Sequence, residues 1–302
     1  MGFTGSSFHG ARSWARHLAT SRGVLESFSC VRLTVTELCV VRRSEPLLRS
    51  GDFRMWRCIW LLMGHRLSPP PERPWLMRMR WCDLLFAHWV VEPALVRALI
   101  PQQLELDLFD GRAYVGVVPF RMEGVAPRLL PNLPGFHSFP EVNLRTYVTL
   151  DRKPGVWFFS LDASNKLAVR AARRFFHLPY FDATFKIFNA GAAIEYSAVR
   201  THRGAAKAAF VAVYRPAGEV YRSAAGTLDS WLTDRYCLYA ADDAGNVYRG
   251  EIDHESWPLQ PATATVRVNT LGEWLGLALK GPPDTLHFAK SLDVHAWSVD
   301  RT

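Results

Sequence analysis

The run Glu141-Val142-Asn143-Leu144-Arg145-Thr146-Tyr147 carries the residue types best suited to chemistry in this 302-residue chain. It alternates with the period of a β-strand. Glu141, Asn143, Arg145 and Tyr147 therefore share one face, and Leu144, Thr146, Val148 and Leu150 share the other. On a surface strand the polar face would simply be solvated. Inside a closed sheet it would line a cavity, where a desolvated carboxylate and guanidinium must be paired or bound to a ligand. Arg145 would then hold an anionic group, and Glu141 would orient it or act as acid and base. That chemistry suits a small carboxylate or carbonyl compound. Four residues apart on a strand, the two lie ~13 Å apart at ~3.3 Å per residue. A bend after Pro140, the reach of the arginine or a bridging ligand must close the gap. Asn143 and Tyr147 are further ligand-binding candidates, as is Ser160 on the neighbouring strand. Asp162 shares the Ser160 face but is better placed to cap the helix that follows.

Other chemistries find little support. The chain has no phosphate-binding loop, dinucleotide-binding glycine pattern, nucleophile elbow or paired-histidine zinc motif. Asp253-His254-Glu255 could offer a metal ligand, but three adjacent residues on a strand cannot all face one ion, so they read as solvated polar residues. The five cysteines are odd in number and lack C-x-x-C spacing. They indicate neither a disulfide framework nor a zinc site, and they fit a reducing, cytoplasmic compartment. No metal or cofactor is expected.

The elements that must position the candidate residues are mostly strands. Asn143–Leu150 and Val156–Asp162 flank the turn Asp151-Arg152-Lys153-Pro154-Gly155, the clearest hairpin in the chain. Asp110-Gly111 suggests a second hairpin, between Leu104–Leu108 and Ala113–Arg121. Further strands are expected at 192–200, 208–214, 237–241, 247–252, 263–268 and 286–297. Helices are expected at Glu92–Ile100, at Asn165–His177 with Asp162 or Ser164 as cap, and near Leu228–Tyr236. Many strands joined by tight turns indicate a β-rich α+β fold: an antiparallel, barrel-like sheet around a cavity with a few short helices.

Charge divides the chain. Residues 1–78 contain twelve arginines, no lysine and five acids, a net +7, whereas residues 79–302 carry 24 basic and 23 acidic residues, a net +1. The body is too nearly neutral for a nucleic-acid-binding domain, and nucleic acid is at most a weak alternative for the basic segment. Residues 1–78 read as a disordered extension or one introduced by an upstream start, with Met77 or Met79 as the natural beginning. They are expected to be dispensable for folding. Cys30–Val41 within them could pass for a strand. No stretch approaches the ~18–20 apolar residues of a membrane span. A homo-oligomer is compatible with the sequence.

Several motifs in the body resemble those of the YqjF-like family, an uncharacterised bacterial family known as domain of unknown function 2071. They are Trp81-x-Asp83-Leu-Leu-Phe-Ala-His-Trp89, Gly116-Val-Val-Pro-Phe-Arg121, Glu141-Val-Asn-Leu-Arg-Thr-Tyr147 and Phe158-Phe-Ser-Leu-Asp-Ala163. Leu178-Pro-Tyr180, Trp231-Leu-Thr-Asp-Arg-Tyr236 and Trp257-Pro-Leu-Gln260 follow in order. The resemblance covers residues 79 to about 300 and implies the acetoacetate decarboxylase-like fold. In that enzyme a lysine pair supplies a Schiff-base amine. The similar place here carries Tyr180 and Phe181, neither of which can form an imine, and Lys186 lies outside the motif. The resemblance thus implies the fold without Schiff-base decarboxylation, with Tyr180 as a hydrogen-bond donor to a ligand. The expected function is binding of a small carboxylate or carbonyl compound, with metal-free acid–base chemistry or as a non-catalytic binding protein.

Overall fold

The computed structural model describes residue 66, residues 68–132 and residues 137–302. The strand suggested at Cys30–Val41 lies outside them. Twelve strands form one sheet: β1 (Met77–Val91), β2 (Glu105–Leu106), β3 (Ala113–Pro127), β4 (Phe139–Leu150), β5 (Lys153–Ala163), β6 (Tyr180–Ala190), β7 (Ala193–Arg200), β8 (Ala209–Pro216), β9 (Cys237–Ala241), β10 (Val247–Asp253), β11 (Leu259–Asn269) and β12 (Thr285–Arg301). Among the described residues three α-helices punctuate it: α1 (Pro93–Arg97), α2 (Lys166–Phe176) and α3 (Leu228–Thr233).

The sheet returns on itself twice. One ring runs β12-β1-β3-β4-β5-β9-β10 and closes through the β10–β12 pairing. The other runs β5-β6-β7-β8-β11-β12-β1-β3-β4 and closes through β4–β5. Both share the wall β12-β1-β3-β4-β5, so the central stretches of that wall, such as Leu84 to Trp89 of β1, are buried on two faces. In β1, Leu85, Ala87 and Trp89 pack into one core while Leu84 and Phe86 pack into the other. This explains why β1, although a strand, reads as nearly continuous apolar sequence rather than as an alternation. The larger ring is filled by side chains such as Tyr196, Tyr214, Phe210 and Phe288. The smaller ring retains a cavity.

The sheet is mixed rather than purely antiparallel. On one edge β5 pairs antiparallel with β4 along its length. On the other it pairs parallel with β9 at Val156–Trp157 and with β6 at Leu161–Ala163. Gly155 permits the approach of β9, since a Cβ there would lie 2.7 Å from the Tyr239 ring and 2.8 Å from Cys237 Sγ. The β4–β5 hairpin closes through Leu150 and Lys153 with a two-residue turn. Asp151 (φ 52°) and Arg152 (φ 61°) both take the left-handed conformation that matches the twist of the strands. The hairpin expected at Asp110-Gly111 reduces to one bridge, Phe109 with Arg112. β2 pairs instead with β4, while β3 lies between β1 and β4. Local turn chemistry set the reversal, and tertiary pairing chose the partners. β6 had no strand expectation. Its exposed outer half, Thr184 to Ala190, extends as a ribbon with β7.

Helix α2 is capped by Asn165, whose Oδ1 accepts from Leu167 N and Ala168 N at 3.1 Å each. Neither Asp162 nor Ser164 caps it, because Asp162 is still in β5. The helix ends at His177 in the left-handed conformation (φ 54°) before Leu178-Pro179. Its expected apolar face is only partly buried, with Leu167 and Phe175 both 66% exposed.

A division at residue 79 cuts through β1, which begins at Met77. Residues before it also engage the body. Trp297 Nε1 donates to Arg73 O (2.7 Å), Trp75 stacks near His295 (4.6 Å between ring centroids), and Arg66 pairs with Asp253 (2.7 Å). A chain beginning at Met79 is therefore expected to melt roughly 5–10 °C below one beginning at Ser68. The loss of ~2–3 kcal/mol of pairing and packing would have this effect, since ~1 kcal/mol moves a domain of this size by ~2–4 °C. Coincident melts followed by circular dichroism would show that residues 68–78 contribute nothing.

Candidate functional site

The smaller ring encloses a cavity of about 640 Å³. Two irregularities keep its wall continuous. β1 contributes Met77, Met79 and Trp81, then changes parity at Asp83 (φ 55°) and contributes Leu84 and Phe86. β3 contributes Val118, Phe120 and Met122, then Val125 and Pro127 after Gly124 (φ 61°). Such bulges re-aim side chains without ending the strand. α2 covers one side with Ala168, Ala171, Ala172 and Phe176. The lining extends to the exposed residues Leu76, Pro127, Phe175 and Ser298, which form its rim.

Glu141, Asn143 and Arg145 all point into this cavity from β4, as their shared parity requires. Glu141 is 1% exposed, and Tyr180 Oη donates to its Oε2 at 2.8 Å. Burial pushes the Glu141 carboxyl up to about 8, against the pull of hydrogen bonds from Tyr180 and Asn143, and the Asp162 charge adds to the rise. Burial, with Glu141 beside it, likewise holds the Tyr180 hydroxyl well above its usual value. Tyr196 Oη anchors the backbone by donating to Glu141 O (2.7 Å). Near neutral pH this carboxyl is therefore largely protonated and able to donate a hydrogen bond or a proton.

Arg145 is not the partner of Glu141. Its Nη2 reaches only Tyr147 Oη and Leu232 O, each at 3.4 Å, and its Nε has no partner. The guanidinium lies over the Phe86 and Tyr147 rings at 5.3 and 5.7 Å. Among the described residues it makes no ion pair. Tyr147 faces the same way but is fully buried beneath Arg145 and supports it. Its Oη donates to Leu232 O (2.9 Å) and so accepts from His88 Nε2 (2.6 Å), leaving His88 Nδ1 to accept from Thr285 Oγ1 (3.4 Å). This neutral ring is consistent with burial and the nearby Arg145 charge, which hold His88 well below its usual value.

Ser160 is not a cavity residue. Antiparallel pairing places it opposite Leu144 and Asp162 opposite Val142, and a bulge at Phe159 brings Phe158 opposite Arg145. Ser160 and Asp162 therefore face the larger ring. There Asp162 forms a bidentate pair with Arg200 at 2.7 and 2.8 Å, both side chains 2% exposed.

Arg235 and His254 also line the cavity, although Arg235 was no sequence candidate and His254 was expected to be a solvated polar residue. Arg235 donates Nε to Trp231 O (2.7 Å) and pairs through Nη1 with Asp107 (2.6 Å), while its Nη2 has no partner. It stacks over the Trp231 and Tyr147 rings at 4.4 and 4.8 Å. The one available signal was its place in Trp231-Leu-Thr-Asp-Arg-Tyr236, since its carboxylate partner is remote in sequence. His254 is buried among Trp81, Tyr236 and Trp257 rather than solvated. Among the described residues no group of three His, Cys, Asp or Glu side chains is arranged to hold a metal ion. Cys82 and Cys237 are buried free thiols, each pushed up to about 11 chiefly by burial.

The raised Glu141 value has a stability consequence. A carboxyl that prefers its neutral form in the fold imposes no penalty at pH values below the unfolded value. The penalty grows as pH rises and is complete above about 8. Glu141→Gln is thus expected to gain on the parent chain in melting temperature between pH 5 and pH 9, with several kcal/mol at stake at ~1.4 kcal/mol per pKa unit. A constant difference across that range would exclude the raised value.

The sequence and the fold both have relatives among known proteins. The family pattern described as DUF2071, an uncharacterised conserved protein, matches residues 78–293. Uncharacterized protein YqjF of Bacillus subtilis (strain 168) is 45% identical over 229 residues, covering 76% of this chain and 93% of that one. Among solved structures, acetoacetate decarboxylase from Legionella pneumophila superposes with a TM-score of 0.52 at 15% identity, over 80% of this chain and 95% of its own. An acetoacetate decarboxylase-like enzyme from Sphingomonas wittichii RW1 gives 0.54 at 12% identity, over 79% and 98%. The enduracididine biosynthesis enzyme MppR, complexed with pyruvate, gives 0.51 at 11% identity, over 78% and 91%. By its sequence match the chain belongs to the DUF2071 family, and by its architecture it has an acetoacetate decarboxylase-like fold.

Proposed function

We propose that the cavity binds a small carboxylate or carbonyl compound, with Arg145 taking the anionic group and Glu141 and Tyr180 serving the carbonyl. The observation that carries this reading is Arg145 itself, a guanidinium in a mostly apolar chamber with no carboxylate against it among the described residues. A cation so placed is stabilised by an anionic ligand more than it would be in water, because the low-dielectric walls weaken its solvation and strengthen its attraction to the ligand. That MppR was solved with pyruvate supports an oxo-acid as one form of such a ligand within this fold.

The chemistry available is proton transfer. With a value of about 8, Glu141 would hold a proton for a ligand carbonyl at neutral pH and accept one under mildly alkaline conditions, close to the optimum for an acid–base group. Tyr180 supports Glu141 and provides a second hydroxyl. Imine chemistry has no amine to start from: no lysine lines the cavity among the described residues, and Lys186 is exposed on the outer part of β6.

Native mass spectrometry of the purified chain is expected to detect a bound acid. Arg145→Gln should lose that ligand while melting within ~2–3 °C of the parent. Retention of the acid by the folded variant would remove Arg145 from the site. Borohydride treatment with a β-keto acid should give no adduct, and a modified lysine anywhere in the chain would overturn the exclusion of imine chemistry.

A further inference from the structure

We propose that the ligand is a monocarboxylate with an extended apolar tail, its head held at the Arg145 end and its tail running toward the rim. This deepens the reading above and rests on it. The first support is the order of residues along the wall. Arg145 is level with Gly116 and His88, whereas the rim is level with Met77 and Pro127. The nine residue steps from Met77 to Phe86 span roughly 30 Å of strand. Glu141 lies between, opposite Phe120.

The second support is the distribution of polarity. Between Glu141 and the rim the chamber is walled by side chains such as Met77, Met79, Met122, Val125 and Phe139. A three-carbon acid would occupy only the inner part of about 640 Å³. The remainder would hold water against walls that cannot supply the two to four polar partners an ordered water needs. An alkyl tail replaces that water and gains the apolar contact. Methionines on β1 and β3 adapt to tails of different shape, and the three alanines of α2 leave space beside the tail.

The third support is charge. Arg235 is offset by Asp107, Arg145 is offset by nothing described, and Glu141 is largely neutral at pH 7. One excess positive charge matches one carboxylate. A dianionic head would leave a negative charge uncompensated inside the chamber.

Isothermal titration of the parent chain, Arg145→Gln and Ala172→Phe with acetate, butyrate and octanoate, and with 1-octanol as a neutral control, tests the inference. Affinity should rise roughly fourfold per methylene, so octanoate should bind roughly 200-fold more tightly than butyrate. Arg145→Gln should weaken octanoate at least ~10-fold, as expected for loss of a charge-assisted contact. Ala172→Phe, which fills space beside the tail, should lower the octanoate-to-butyrate ratio. Equal affinities for butyrate and octanoate would overturn the tail while leaving the head site standing. No binding of any acid, or 1-octanol binding as tightly as octanoate, would overturn the head site and this inference with it.

Discussion

Strand β5 is shared among three neighbours, and the molecule's two-chamber plan depends on how it divides them. One edge is committed to β4 through the hairpin. The other is split, with Val156–Trp157 given to β9 and Leu161–Ala163 to β6. Between those pairings β5 leaves a more open depression on the outside, which Trp157 and Phe159 border. Because β9 leads through β10 to β12, and β6 leads through β7, β8 and β11 to β12, the fork closes two rings on one wall. A strand can satisfy two different ladders on one edge only where they diverge, and that divergence separates a packed compartment from a hollow one.

The same fork explains the contrasting fates of two buried carboxylates one strand apart. Asp162, facing the packed ring, meets Arg200 in a bidentate pair whose guanidinium also lies 4.0 Å over the Phe181 ring. That pair ties β5 to the end of β7. Removing one partner from such a site usually costs ~3–5 kcal/mol, because the other charge is left stranded. Glu141, facing the hollow ring, has a tyrosine rather than a cation, and protonation is the response that burial favours. Burial raises both carboxylates, and at Asp162 the hydrogen bonds and charge of Arg200 pull against that rise.

The cavity polarity follows from this arrangement. Its cations lie at the inner end, where α3 and the segment after it pack Leu232, Trp231 and Arg235 around Tyr147. Carbonyl oxygens, aromatic faces and one remote aspartate hold the two guanidiniums, so their orientation is fixed before a ligand arrives. Such preorganisation lowers the ordering cost of binding. Among the described residues the outer end has no such pair of guanidiniums, and apolar side chains shape most of it.

The sequence alone determined the alternation of β4, the β4–β5 reversal, the extent of α2 to within a residue, and the common face of Glu141, Asn143 and Arg145. Each depends on interactions within a few residues: strand period, left-handed turn residues, a side-chain cap. The motif resemblance added the fold. Tertiary structure alone decided that Ser160 faces away from Arg145, since a bulge at Phe159 resets the register between strands. It also decided that Glu141 pairs with Tyr180 and that Arg235 joins Arg145 at one end. Those partners are 39 residues apart in the first case, and Arg235 lies 128 residues from the aspartate that holds it. Local patterning fixes which way a side chain points from its own strand. What it meets there depends on how the rings close, which is set by pairings spread over the whole domain.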